Sequence, residues 1–123
     1  MNVETLLTSW GPTVVEARWV TERPADLAGN VPLVLVRRVG GPDTDPTISL
    51  ATVDLEYYQR DRVSAGDGAE ALRKALRYQL PGYTTTDGVV AKVSVLSGPA
   101  WRPYDDPNVT RYGLSCQLAL HTA

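Results

Sequence analysis

The residue types that most often carry out catalysis are scarce in this chain. Its 123 residues include one histidine, His121, and one cysteine, Cys116. A general base needs a partner that orients it, and the sequence supplies none for His121, so we expect a solvent-exposed side chain there. Cys116 falls on the apolar side of an alternating segment, which favours a buried thiol that behaves as a small hydrophobic group. We therefore expect no catalytic residues and no enzyme activity.

Aspartates and glycine-rich turns are the remaining places where a cofactor could bind. The spacing of the aspartates matches no calcium loop, and the neighbouring prolines and glycines indicate turns. Gly40-Gly41 and Gly66-Asp67-Gly68 lack the Lys-Ser/Thr sequel of a phosphate loop. We therefore expect neither a metal nor a cofactor.

A proline- and aromatic-rich segment, residues 97–109, is the strongest candidate for a contact surface. Trp101, Arg102 and Tyr104 belong to residue types that are enriched at the energetic centres of protein interfaces. The alternative is a long ordered loop whose aromatic rings fold back on the core. The residue types alone leave both interpretations open.

Other charged and aromatic residues could also contact a partner, although solvated charges would explain them equally well. They lie in predicted turns, at strand ends and on the polar side of a predicted helix. With the loop residues, the candidate interface set is Arg37, Arg38, Asp43, Asp45, Tyr58, Arg60, Arg73, Arg77, Trp101, Arg102 and Tyr104.

Composition indicates one globular domain over residues 1–123. Hydrophobic residues make up 43% and charged residues 21% of the chain, which argues against wholesale disorder. A net charge of −2 excludes the strongly basic surface of a tight nucleic-acid binder. The start of the chain lacks the features of a signal peptide, and no apolar stretch is long enough to span a bilayer.

The first half of the chain predicts a helix and three strands. Apolar residues follow helical spacing over residues 3–10, with Asn2 as the N-cap. Residues 15–19 alternate as a half-buried strand, and the apolar run 33–36 predicts a strand covered on both faces. Residues 40–46 predict the turn to the next strand.

The third strand shows a change of phase. Its apolar residues occupy even positions up to Leu50 and odd positions from Val53 to Tyr57. We expect a bulge or a strong twist near Ala51, with two separate strands as the alternative.

The second half predicts a long helix followed by two strands. Asp67 and Glu70 form a capping-box pattern, so we expect the helix to begin there and to end at Pro81. Alternating residues 89–95 and 112–120 predict strands on either side of the aromatic loop. The predicted fold is α+β: a small mixed, mainly antiparallel sheet of about five strands, with the long helix on one face and a short N-terminal helix.

In the order of these segments the chain resembles the tail terminator proteins of long, non-contractile-tailed bacteriophages, especially those of actinobacteria. The resemblance covers nearly the whole chain in length and element order, and none of its motifs is a strict signature. The segments that carry it are residues 31–41 with the acidic turn after them, 51–58, 69–80, 97–104, and 111–112 with the final strand.

The resemblance implies a structural protein of the virion, assembled in the host cytoplasm. Six subunits would form a ring that caps the tail tube at its head-proximal end and stops tube polymerisation. The expected partners are further copies of the chain, the tail tube protein and the head–tail connector, while DNA passes through the ring without specific binding. The alternatives are a head-side connector, stopper or tail-completion protein, and a small ferredoxin-like cellular enzyme or ligand-binding domain.

Overall fold

The fold, taken from a computed structural model, is a six-stranded sheet with two helices; residues 2–40 and 48–122 are described. The sheet order is β1-β2-β3-β6-β5-β4, and every neighbouring pair is antiparallel except β1 and β2. The predicted α+β class is confirmed, and the strand count exceeds the prediction because of the two-residue β4. The elements are α1 (Val3–Trp10), β1 (Arg18–Val20), β2 (Leu33–Gly40), β3 (Ile48–Gln59), α2 (Arg62–Tyr78), β4 (Thr84–Thr85), β5 (Gly88–Arg102) and β6 (Thr110–Thr122), with 3-10 turns at Gly11–Thr13 and Ala28–Asn30.

Both helices pack on one side of the sheet, which we call the helical face. The apolar stripes of α1 and α2 meet inward-facing residues of β2, β3, β5 and β6 in one buried cluster. The Asn2 side chain accepts a hydrogen bond from Thr5 N at 3.1 Å, so the predicted cap of α1 is confirmed. The first strand lies at Arg18–Val20 and not over residues 15–19. The chain before it turns at Gly11–Thr13, and the Trp19 ring of the strand packs on Gly11.

The prediction that Asp67 begins α2 is wrong. The helix begins at Arg62, and Asp61 is its N-cap, accepting a hydrogen bond from Ser64 N at 2.8 Å. Ser64, Gly66 and Gly68 are weak helix formers, so helix propensity does not predict the first two turns of α2. Gly68 has a packing reason: a Cβ there would lie 2.3 Å from Cζ of Tyr57 on the sheet beneath.

The predicted bulge near Ala51 is also wrong. Strand β3 pairs with β6 in an unbroken register from Ile48 opposite His121 to Gln59 opposite Thr110. Ala51 and Val53 point to the helical face, whereas Leu50 and Ile48 lie on the other, partly exposed face. The apparent change of phase therefore reflects a strand with apolar residues on both faces. The bulge in this part of the sheet lies in β2, between Arg38 and Gly40.

The first half of the aromatic segment, up to Arg102, is a strand, which corrects the prediction of a loop over residues 97–109. Strand β5 continues to Arg102 with three register shifts, and the connecting loop spans residues 103–109 only. Pro99 lies within a bulged stretch at the outer part of the sheet, where a missing N–H is tolerated. Residues 41–47 lie outside the described residues, and they include all of the predicted turn at 40–46 except Gly40.

A second, smaller cluster covers one end of the opposite side of the sheet, which we call the open face. It is formed by Leu27, Leu33, Leu35, Tyr58 and Val109. Val34 and Val36 belong to the helical-face cluster instead. The prediction that residues 33–36 are covered on both faces is therefore confirmed.

Candidate interaction surfaces

Five charged side chains converge on the open face beside the smaller apolar cluster. Asp54 and Glu56 come from β3, and strand pairing places Arg102 of β5 opposite Arg111 of β6. Arg23 reaches them from the segment after β1. We call Arg23, Asp54, Glu56, Arg102 and Arg111 the arginine–carboxylate cluster.

Glu56 is the centre of this cluster, with only 8% of its side chain exposed. Its Oε1 lies 3.1 Å from Arg23 Nη2, and its Oε2 lies 3.5 Å from Arg102 Nη1 and 3.4 Å from Arg111 Nη1. Tyr58 Oη also donates to Glu56 Oε1 at 3.1 Å. A carboxylate this deeply buried is stable only when such donors replace water.

Asp54 forms the second anchor. Its two oxygens accept hydrogen bonds from Arg102 Nη1 and Nη2, both at 3.2 Å, and Ser115 Oγ lies 3.3 Å from Oδ1. The Arg102 guanidinium occupies the space next to Gly113, where a Cβ would lie 2.1 Å from Cζ of Arg102. The hydrogen bond to Asp54 raises the pKa of Arg102, and the hydrogen bond to Tyr58 raises the pKa of Arg23. Three guanidinium groups, those of Arg23, Arg102 and Arg111, thus face two carboxylates.

The cluster also fixes the loop after β5. Tyr104 packs edge-on against Tyr58, with ring centroids 5.5 Å apart, and the Arg111 guanidinium lies 5.1 Å from the Tyr104 centroid. Arg111 Nη2 donates to the Pro103 carbonyl at 2.6 Å, and within the described residues Arg111 Nε has no hydrogen-bond partner. Tyr104 therefore folds back on the protein, as in the alternative that the sequence left open, and Arg102 pairs within the chain. Tyr58, an interface candidate, is fully buried instead.

Trp101 lies on the helical face and is 48% exposed. The Arg62 guanidinium, at the start of α2, lies 4.7 Å from the centroid of the Trp101 ring. The next residue, Val63, is 74% exposed. We call Arg62, Val63 and Trp101 the Trp101 patch, since an arginine stacked on tryptophan beside an exposed valine is an apolar surface with a charged rim.

The other predicted interface residues are scattered. Arg37 and Arg38 are exposed at the end of β2, and Arg60 is exposed at the corner before α2. Arg60 lines a cleft of about 530 Å³ together with Ala28, Gly29, Asp61, Pro107 and Asn108.

On α2, Arg73 pairs with Glu70, whereas Arg77 is exposed and lies 5.3 Å from the Tyr78 ring centroid. Asp43 and Asp45 lie outside the described residues. Among the predicted residues within 2–40 and 48–122, only Tyr58, Arg102 and Tyr104 come together.

Sequence reasoning missed four members of the arginine–carboxylate cluster: Arg23, Asp54, Glu56 and Arg111. A signal for two of them was present. Asp54 and Glu56 alternate with Val53, Leu55 and Tyr57 and share their face of the strand with Tyr58, and acidic residues beside buried apolar ones call for cationic partners.

The residues with potential for catalysis are where the sequence placed them. Burial raises the pKa of the Cys116 thiol to about 12, so it is a poor nucleophile at neutral pH. His121 is exposed on β6. No group of three or more His, Cys, Asp and Glu side chains in residues 2–40 and 48–122 is arranged to hold a metal ion. None of the described helices has the length and apolar character required to cross a membrane.

The sequence matches no protein-family model and no curated protein. The fold does match solved structures. A chain of the virion of a native gene transfer agent particle superposes with a TM-score of 0.63, over 94% of this chain and 84% of that chain, at 16% sequence identity. The six-stranded sheet with its two helices is therefore a fold that this protein shares with a chain of that virion.

Proposed function

We propose that this protein is a structural component of a virion. The observation that carries the proposal is the shared fold, which extends over nearly all of this chain and most of the gene transfer agent chain. The distribution of polar residues agrees with a protein that acts through its surfaces. Its buried carboxylate, Glu56, pairs with arginines of the same chain, one of which fixes the loop after β5, and its thiol is buried.

Within this class, we propose the role of tail terminator, because of the sequence resemblance described above. Six copies form a ring at the head-proximal end of the tail, bind the last ring of tube protein and stop its polymerisation. The opposite surface of the ring receives the head–tail connector. DNA passes through the ring without specific binding, in keeping with a net charge of −2.

The test of this role is the length of the tails made without the protein. A tube grows because each added ring presents the same end as the last, and a heterologous contact that does not close on itself continues until it is capped. Deleting the gene from the phage that encodes it is expected to give tails of excessive, variable length beside filled heads without tails, as seen in electron micrographs of the lysate. Tails of normal length that fail to join heads would overturn the tail-terminator role and assign the protein to the head side of the joint.

The Trp101 patch is the surface we propose for contact with a neighbouring virion protein. Trp101→Ala is expected to leave the thermal unfolding midpoint nearly unchanged, since about half of the residue is exposed, and to reduce tail capping. Ile48→Ala is the control, because it removes another large, partly exposed apolar side chain, at the start of β3 on the open face. Unfolding of the Trp101→Ala protein would place Trp101 in the core instead, and equal loss of capping in both variants would exclude a specific role for the patch.

A further inference from the structure

The sheet has two free edges, and they differ. Strand β1 ends the sheet on one side, where its described backbone pairing is with β2 alone. On the other side, β4 and the turn before it pair with β5 only as far as Val90. In residues 2–40 and 48–122, no strand lies along the outer edge of β5 from Ala91 onward. Unpaired strand edges offer N–H and C=O groups to a strand of another molecule.

The β5 edge is accompanied by a basic groove. This groove, of about 450 Å³, runs between the end of α2 and the outer edge of β5. Arg77 and Lys92 line it, both side chains are exposed, and no acidic residue is among the described residues that line it. Its lining residues are Arg77, Pro81, Ala91, Lys92, Val93, Ser94 and Val95.

Bulges limit the length of edge that can pair. Register shifts lie between Val90 and Lys92 and between Val95 and Ser97, with Pro99 beyond them. Bulges and proline hinder pairing along an edge. The regular part of the free edge is therefore only a few residues long, and its partner must be a short strand.

The β1 edge fits this description. It has three residues, and Glu16 and Glu22 lie two positions before and two positions after it, both exposed. Arg18 lies between them, and its Nη1 donates to Asn30 Oδ1 at 2.6 Å. Arg23 is directed to Glu56 and Tyr58 on the open face. The β1 edge is thus a short strand with a glutamate at each end.

We propose that the occupant of the β5 groove is the β1 edge of a second copy of this chain, with Glu16 and Glu22 facing Arg77 and Lys92. The inference rests on the proposed function, because it supplies the contact between neighbouring subunits of the ring. The two surfaces are different parts of the molecule, so the contact is heterologous and can repeat around a closed ring. Opposite charges at its rim set the register and hinder pairing of like edges.

A charge exchange tests the contact. Arg77→Glu with Lys92→Glu is expected to reduce ring formation on tails by about tenfold or more, and Glu16→Lys with Glu22→Lys to do the same. All four substitutions in one chain restore opposite charges across the contact and are expected to restore assembly. Lys74→Glu is the control, since Lys74 is exposed on the same helix but does not line the groove. Circular dichroism shows whether each variant is folded.

Zero-length cross-linking supplies an independent measurement. The chain has two lysines, Lys74 and Lys92, and a carbodiimide joins an amine only to a carboxylate in contact with it. In rings assembled from mixed ¹⁴N- and ¹⁵N-labelled chains, mass spectrometry is expected to find Lys92 joined to Glu16 or Glu22 of another chain. Lys74 is expected to form no such link.

The outcomes separate this contact from the ring itself. Rings that form while Lys92 links to other carboxylates, or a fourfold variant that fails to assemble although folded, would overturn the contact and leave the tail-terminator role standing. Wild-type protein that never associates with tails or with itself would overturn the role, and the contact with it.

Discussion

Glu56 is the buried carboxylate with which three arginines pair. Among the described residues it is the one buried charged or polar side chain, and its three cationic partners come from segments far apart in the sequence. Burying a carboxylate is costly unless paired donors compensate for the lost water. The same pairing joins the segment after β1, the end of β5 and the start of β6, so one residue couples three parts of the open face.

Glu56→Gln removes the charge but keeps an acceptor, which leaves Arg23 and Arg111 without their carboxylate and Arg102 with Asp54 alone. We expect the free energy of unfolding to fall by about 3 kcal/mol, measured by urea denaturation. Glu70→Gln, in the exposed pair with Arg73, is expected to change the urea midpoint very little. Similar effects of the two substitutions would show that the arginine–carboxylate cluster is energetically no different from a surface pair.

The burial of Cys116 predicts how the free energy of unfolding changes as the pH rises into the alkaline range. Burial raises its pKa from 9.0 to about 12, so the unfolded chain loses this proton first as the pH rises. The contribution of the neutral thiol is therefore complete below about pH 9 and is lost between about pH 9 and pH 12. Burial also raises the pKa of Tyr57 and of Tyr58, which acts in the same direction.

We expect urea midpoints to stay level up to about pH 9 and to decline above it. Cys116→Ala should make that decline shallower, because it removes one of the groups responsible. A midpoint that rises with pH in this range would contradict the burial of these groups. Reaction of the native thiol with a disulfide reagent near neutral pH as fast as in urea would contradict it as well.

At the scale of elements, two glycines of α2 are predicted to have opposite effects. A Cβ on Gly68 would lie 2.3 Å from the Tyr57 ring, whereas a Cβ on Gly66 would lie 3.4 Å from Tyr112 Oη, an ordinary contact. Gly68→Ala is expected to destabilise the protein by about 1–3 kcal/mol through overpacking. Gly66→Ala is expected to stabilise it by up to about 1 kcal/mol through helix propensity. Thermal unfolding of the two variants measures both signs, and destabilisation by both would contradict the packing described for α2.

The start of α2 gives a second prediction at this scale. Asp61→Ala removes the acceptor of the Ser64 N hydrogen bond, so we expect a lower melting temperature. The backbone hydrogen bond from Ser64 also lowers the pKa of Asp61, which keeps the cap ionised in mildly acidic solution. Asp67→Ala, within the helix and exposed, is expected to have a much smaller effect. The reverse order would place the helix start at Asp67.

The sequence predicts those elements whose pattern is local. The stripe of α1, the doubly covered run in β2 and the alternating strand β6 were all readable, because each pattern repeats within a few residues. The start of α2 was not, because Gly68 is explained by the Tyr57 ring beneath it and not by neighbours in the chain. The arginine–carboxylate cluster was not either, since Arg23 and Glu56 are 33 residues apart and only the folded sheet brings them together.

At the scale of the whole molecule, a ring joined through charged edges should depend on salt. The proposed contact places two glutamates opposite two cations at an exposed rim, where added salt screens attraction beyond a Debye length of about 8 Å at physiological ionic strength. Native mass spectrometry and light scattering at increasing salt are expected to show weaker association. Stronger association at high salt would indicate that apolar contacts dominate instead.

The unlike edges of the sheet have a further consequence for any assembly built through them. When every subunit offers β5 to one neighbour and β1 to the other, all subunits point the same way around the circle. Such a ring has no two-fold axis in its plane, so its upper and lower surfaces carry different residues. Turning it over does not reproduce it. The two surfaces of such a disc can bind different structures, so a single polypeptide can contact one structure on each side.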